Sequence, residues 1–180
     1  MAGKKQTSRL LLSLLFALII GFILPQPVNS QAETPILSIN PPVTRLLAGG
    51  EAIIAVRVQD VEDLFAFAVK VNFPPGMMEI LRVDNGDFLK DGMVIVQEID
   101  NDSGELRFDM TQIYPDPPVS GSGDLICFRV RATEQNGTIP LLIDTEVTLL
   151  ATINGIPINY ETSNGIIKLE SAIFLPLLLK

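Results

Sequence analysis

The stretch from Leu64 to Phe73, Leu-Phe-Ala-Phe-Ala-Val-Lys-Val-Asn-Phe, alternates large apolar with small or polar residues. That alternation most narrows the folds open to this chain. Successive side chains of an extended strand point to opposite sides. Phe65, Phe67, Val69, Val71 and Phe73 are therefore expected on one face, in a core, with Ala66, Ala68, Lys70 and Asn72 on the other. The pattern runs on through Pro74-Pro75-Gly76 into Met77 to Val83 and the turn Asp84-Asn-Gly-Asp87, so the whole reads as one piece of an all-β sandwich. Two alanines followed by Lys70 and Asn72 make a flat outer surface where a face meeting only water would carry a polar fringe. Such flatness suits contact with another macromolecule; small residues filling a crowded strand position are the alternative.

Further strands are expected along the chain. Ile36 to Ile39 opens it and stops at Pro41-Pro42, and Ala48-Gly49-Gly50 is a turn. Ala52 to Val58 sets Ile54, Val56 and Val58 against Ile53, Ala55 and Arg57. Met93 to Ile99 is β-branched, and Glu105 to Thr111 places Leu106, Phe108 and Met110 inward with Arg107, Asp109 and Thr111 outward. Tyr114 to Gly123 is a loop by its prolines and glycines, and Asp124 to Thr133 is a long strand. Glu134 to Gly137 turns the chain into Ile139 to Thr152, and Ile166 to Leu169 closes the sheet after turns at Asn154-Gly155 and Asn164-Gly165. Nine strands separated by turn signals indicate a two-sheet sandwich of jelly-roll or Greek-key type.

Residues 1–32 are set apart as an N-terminal signal peptide. Lys4, Lys5 and Arg9 form a basic start, Leu10 to Leu24 an apolar run of secretory length, and cleavage is expected after Ser30 or Ala32, with an uncleaved anchor as the alternative. The domain is then residues 33–170, expected outside the cell or on its surface, and 171–180 is an apolar tail too short to cross a bilayer as a helix. That tail could pack as a last strand, dock to a surface or act as a sorting tag. Without the signal, the 10 remaining Lys and Arg face 21 Asp and Glu, a balance of −11 that disfavours nucleic acid or an anionic membrane as partner. Cys127, the only cysteine, can form no intrachain disulfide and is expected as a small filler within its strand.

The chain contains no histidine, which removes Ser-His-Asp and Cys-His catalysis and His-ligated zinc together. Glu98, Glu105 and Asp109 sit on or beside a hairpin and read as solvated strand carboxylates, so no enzyme activity and no cofactor are expected. Asp100-Asn-Asp-Ser-Gly-Glu105 has Gly104 and Glu105 where a calcium loop wants an oxygen ligand and then glycine, and it reads as a turn. Sugar platforms use aromatic faces. Tryptophan is absent, and only Tyr114 and Tyr160 could supply a direct sugar contact.

Four segments, in order, resemble the cohesin domain, the receptor module of cellulosome-type assemblies. They are Phe67-Ala-Val-Lys-Val-Asn-Phe-Pro-Pro-Gly-Met-Met-Glu79, Val83-Asp-Asn-Gly-Asp-Phe-Leu89, the glycine-rich lead into a long strand Val119-Ser-Gly-Ser-Gly-Asp-Leu-Ile-Cys-Phe-Arg-Val130, and Asn164-Gly165-Ile166. The resemblance implies a nine-stranded jelly-roll β-sandwich. It also implies capture of a dockerin, a small helical module that carries the calcium itself, in assemblies linked to polysaccharide binding and catabolism. The docking face would be built from Ala66 to Asn72, Val94 to Glu98, Arg107 to Thr111 and part of Leu141 to Leu149, with Ala66, Ala68, Lys70, Asn72, Glu98, Arg107, Asp109 and Thr111 as the contacts. Ala66 and Ala68 stand where the family has polar contacts, which sets this face apart from familiar dockerin specificities. Because carbohydrate-binding modules share the fold, direct binding of polysaccharide is the alternative.

Overall fold

The computed structural model describes residues 33–133 and 136–170. The expected signal peptide at 1–32, residues 134 and 135 of the expected turn, and the expected tail at 171–180 lie outside the described residues. Among the described residues there are twelve strands and no helix. They are β1 (Ile36–Asn40), β2 (Val43–Leu47), β3 (Glu51–Leu64), β4 (Ala66–Asn72), β5 (Met78–Asn85) and β6 (Met93–Asp100). The second half holds β7 (Glu105–Thr111), β8 (Val119–Ala132), β9 (Gly137–Ile143), β10 (Leu149–Ala151), β11 (Glu161–Ser163) and β12 (Gly165–Glu170). Nine strands were expected. The other three are β2, β11 and the division of Ile139 to Thr152 into β9 and β10.

Two sheets enclose the core, one ordered β11-β1-β3-β8-β5 and the other β2-β12-β9-β4-β7-β6, with β10 also on β4. Alternation fixes the inner face of the second sheet. Phe67, Val69 and Val71 of β4 and Leu106, Phe108 and Met110 of β7 are all buried, and the rings of Phe67 and Phe108 stack with centroids 6.3 Å apart. From the first sheet Ile54, Val56, Val58, Ile126, Phe128 and Val130 join the same cluster. Two of the chain's changes of sheet run side by side. Between β1 and β2 it passes at Pro41-Pro42, and between β11 and β12 at Asn164, so that β1 lies parallel to β11 and β2 parallel to β12. Where the two passages meet, a Cβ on Gly165 would collide with the side chain of Ile39.

The expected continuous strand from Leu64 to Phe73 is interrupted. Leu64 ends β3, and Phe65, placed by parity in the core, is only half buried in the gap before β4. Its N–H donates to Ala151 O at 2.9 Å and its carbonyl accepts from Gln112 N at 2.8 Å, so backbone pairing, not burial of the ring, determines its position. The expected loop at Tyr114 to Gly123 is also partly strand, because β8 begins at Val119 and continues β3's partner.

In that extension the usual two-residue rhythm fails. Val58 pairs with Gly123, Val61 with Gly121 and Leu64 with Val119, three residues of β3 for every two of β8. Val58, Val61 and Leu64 are buried while the pairs between them are exposed. Asp60 and Asp63 take up the surplus with left-handed backbones, each at φ 54°. Their N–H groups donate to the Ser122 and Ser120 hydroxyls at 2.9 Å, so serine side chains replace the missing ladder carbonyls.

Candidate functional site

All eight residues singled out from the sequence lie on the outward side of one sheet. On β4 and β7 they stand in direct register: Ala66 opposite Thr111, Ala68 opposite Asp109, and Lys70 opposite Arg107, while Asn72 is opposite Glu105. Glu98 on β6 stands opposite Arg107. Alternation from the buried Phe67 and Phe108 is what turns these side chains outward.

The face divides into two halves. Around Ala66 and Ala68 it is mostly apolar, forming with Ile95, Leu149 and Ala151, and with Asp109 on the β7 side, a shallow depression of about 210 Å³. Ile95 is 61% exposed there because β6 bulges between Val94 and Val96, which adds a residue and tips it onto the face. Around Lys70 the surface is charged, a second depression of about 190 Å³ lined by Lys70, Glu98, Asp100, Glu105, Arg107 and Val147. The line from one depression to the other runs along β4 and β7.

In the charged half nearly every group is already held. Lys70 Nζ lies 2.8 Å from Glu105 Oε1 and 3.8 Å from Asp144 Oδ2. The Glu105 hydrogen bond raises the Lys70 pKa above the ordinary lysine range, overcoming burial that would lower it. Asn72 Nδ2 donates to Asp144 Oδ2 at 3.2 Å, the main reason that carboxyl is held below the usual aspartate range. Arg107 grips Asp109 at 2.7 Å, its strongest support, and Glu98 adds attraction from β6. Asp100 spends Oδ1 on the N–H groups of Asp102 and Ser103, which keeps its pKa low and shows the 100–105 segment to be a hydrogen-bonded turn. Glu98 alone among these carboxylates has no hydrogen bond or ion pair. Glu98, Asp100 and Glu105 against Lys70 and Arg107 leave this depression net negative.

Asp144, Val147, Leu149 and Ile95 also belong to the face; the resemblance brings their segments to it but names none of the four as a contact. The first three follow from how β9 and β10 share β4. β9 pairs with Val71 and Asn72, β10 with Ala66 to Ala68, and the chain between them arches past Lys70. Thr148 bridges the gap, its Oγ1 accepting Lys70 N–H at 3.1 Å, while Asp144 N–H donates to Lys70 O at 2.9 Å. Tyr160 fixes the arch from outside by donating its hydroxyl to Thr148 O at 2.7 Å. Of the two tyrosines considered for sugar, Tyr160 is thus committed to the fold and Tyr114 is 81% exposed. Cys127 lies partly buried in β8, and burial first, then Asp124, keeps its thiol from ionising.

No protein-family model and no curated protein matches the chain. Solved structures do. A non-cellulosomal cohesin from the archaeon Archaeoglobus fulgidus aligns with a TM-score of 0.66 at 14% identity, covering 77% of this chain and 93% of that one. The seventh ScaB type I cohesin from Pseudobacteroides cellulosolvens gives 0.66 at 16% identity over 82% and 99% of the two chains. The third cohesin ScaC from Acetivibrio cellulolyticus, solved in complex with the ScaB dockerin, gives 0.66 at 13% identity over 76% and 99%. The fold is therefore the cohesin jelly-roll sandwich.

Proposed function

We propose that this chain is an exported, non-enzymatic binding module that captures a dockerin-type partner protein on the outward face of β4, β7 and β6. Ala66, Ala68, Lys70, Asn72, Glu98, Arg107, Asp109 and Thr111 make the contacts. One observation carries the reading: a flat face with an apolar half beside a charged half, on a fold whose solved counterparts include complexes with dockerins. Lys70, Asn72 and Arg107 are already fixed by intramolecular partners, so docking costs little side-chain ordering. The partner brings its own calcium, and the assembly serves polysaccharide binding and breakdown at the cell surface or outside the cell. Direct sugar contact has less support, because Tyr160 is spent on Thr148 and Tyr114 stands alone.

Calorimetric titration of the full chain with a panel of calcium-loaded dockerins tests this. Saturable binding that chelator abolishes is expected. Binding that survives Ala68→Arg undiminished would remove this face from the proposal.

A further inference from the structure

We infer that the side-chain amides of Asn101 and Gln97 stand in for a missing neighbouring strand along β5 and close that edge against pairing with a second copy of this chain. β5 is the last strand of its sheet and pairs with β8 alone, so backbone groups turned away from β8 have no strand to meet. At Ile80 one side chain takes both. The Ile80 N–H donates to Asn101 Oδ1 at 2.8 Å, and the Ile80 carbonyl accepts from Asn101 Nδ2 at 3.1 Å. A primary amide presents the same acceptor and donor as a peptide group, so Asn101 supplies a complete rung. Past the irregularity at Leu81, Gln97 Nε2 donates to Val83 O at 3.1 Å and covers a second carbonyl.

Both amides come from the other sheet, and both are held in place. Gln97 stands opposite the buried Phe108 in the β6–β7 ladder, and alternation turns it inward across the sandwich. Asn101 sits in the turn between β6 and β7, where Asp100 Oδ1 accepts the N–H groups of Asp102 and Ser103 and Gly104 N–H donates to Asp100 O at 2.9 Å. Gly104 O accepts Phe73 N–H at 2.8 Å, and a Cβ on Gly104 would strike Phe73 O, so the turn is seated against the chain leaving β4. The other sheet edges need no such cover. β11 and β2 have only three and five residues, and β6, eight residues long like β5, carries the charged Glu98 and Asp100. On β5 Arg82 and Asp84 neutralise each other at 2.6 Å and Leu81 is exposed, so neither charge nor shortness guards it. The strand shut out is a second copy, because every copy presents this same edge and a two-fold axis pairs it with itself.

The test compares the full chain with Asn101→Ala, Gln97→Leu and Asn101→Ala/Leu81→Lys, read by sedimentation and amide hydrogen exchange over a concentration series. In dilute solution Asn101→Ala should keep its protection at Val69 and Phe108 while the Ile80 amide exchanges about tenfold faster. When concentrated it should dimerise and regain protection at Ile80 and Val83. Gln97→Leu should form the same dimer at higher concentration, and the lysine of the third variant, a charge placed on the edge, should restore the monomer. Folded variants that stay monomeric, a dimer protected at β2 or β6 instead, a dimer indifferent to Leu81→Lys, or a parent chain that already pairs through β5 would each overturn the inference. Should Asn101→Ala fail to fold, dimerisation of Gln97→Leu through β5 upholds it and a monomeric Gln97→Leu sinks it.

Discussion

The hydroxyl of Thr148 accepts the backbone N–H of Lys70 at 3.1 Å, supplying on β4 a partner that neither β9 nor β10 provides. A side chain thus splices two short strands onto one edge. Thr148 is itself buried, 5% exposed, so its loss leaves the Lys70 N–H without a partner. Thr148→Val should lower unfolding free energy by about 1–2 kcal/mol in urea titration. It should also weaken partner capture, since Val147 and Leu149 flank the splice. Full stability in that variant would show the rung to be dispensable.

Ala68→Arg should cost at least a hundredfold in partner affinity while shifting Tm by only a few degrees. The position is half buried on the outward side, so a long side chain can reach solvent without entering the core. The matching control is Phe108→Ala beneath it, fully buried, which should cost about 3–5 kcal/mol of stability. The two variants together separate binding from folding.

Stability should fall at both pH extremes for stated reasons. The Asp144 and Asp100 carboxyls lie below their ordinary 3.8 in the folded chain. Their contribution is complete above that value and is lost as pH falls through the lower folded values. Lys70 is raised above 10.5, so its contribution is complete below that value and disappears as pH rises through the folded one. Calorimetric Tm should therefore be flat from about pH 5 to about pH 10 as far as these groups decide it. Asn72→Leu, which removes the donor to Asp144, should lower Tm at neutral pH and make the acid decline shallower.

At φ 54°, Asp63 tolerates a backbone that β-branched residues resist. Asp63→Gly should be within about 0.5 kcal/mol of the parent, and Asp63→Val should lose 1 kcal/mol or more. Equal stability of the two would mean that the strand relaxes out of the left-handed region. Gly165→Ala is a harsher case, because the new methyl meets Ile39 between the two sheet crossings, and about 1–3 kcal/mol should be lost.

Much of this was legible in the sequence wherever the period was two. Val69, Val71, Leu106, Phe108 and Met110 are buried as their spacing implies, and the outward residues of β4 and β7 fall on one face in register. What escaped had no such signal. Gln59 to Leu64 repeats its apolar residue every third position, which imitates a polar loop until the paired strand is seen. Strand β2, Val43–Leu47, follows two prolines that read as an end and prove to be a crossing between sheets. Asp144 and Ile95 entered the face through an arch and a bulge, irregularities that depend on neighbouring strands and leave no local pattern.

The three-for-two pairing of Val58, Val61 and Leu64 with Gly123, Gly121 and Val119 works like a vernier scale. Sliding one edge by a single division misaligns every later mark, so this paired segment can be lengthened or trimmed only by adding or removing a triplet in one strand together with a doublet in the other. The length of this paired segment over the core is accordingly quantised, and a lone insertion belongs in the turn that precedes Val119.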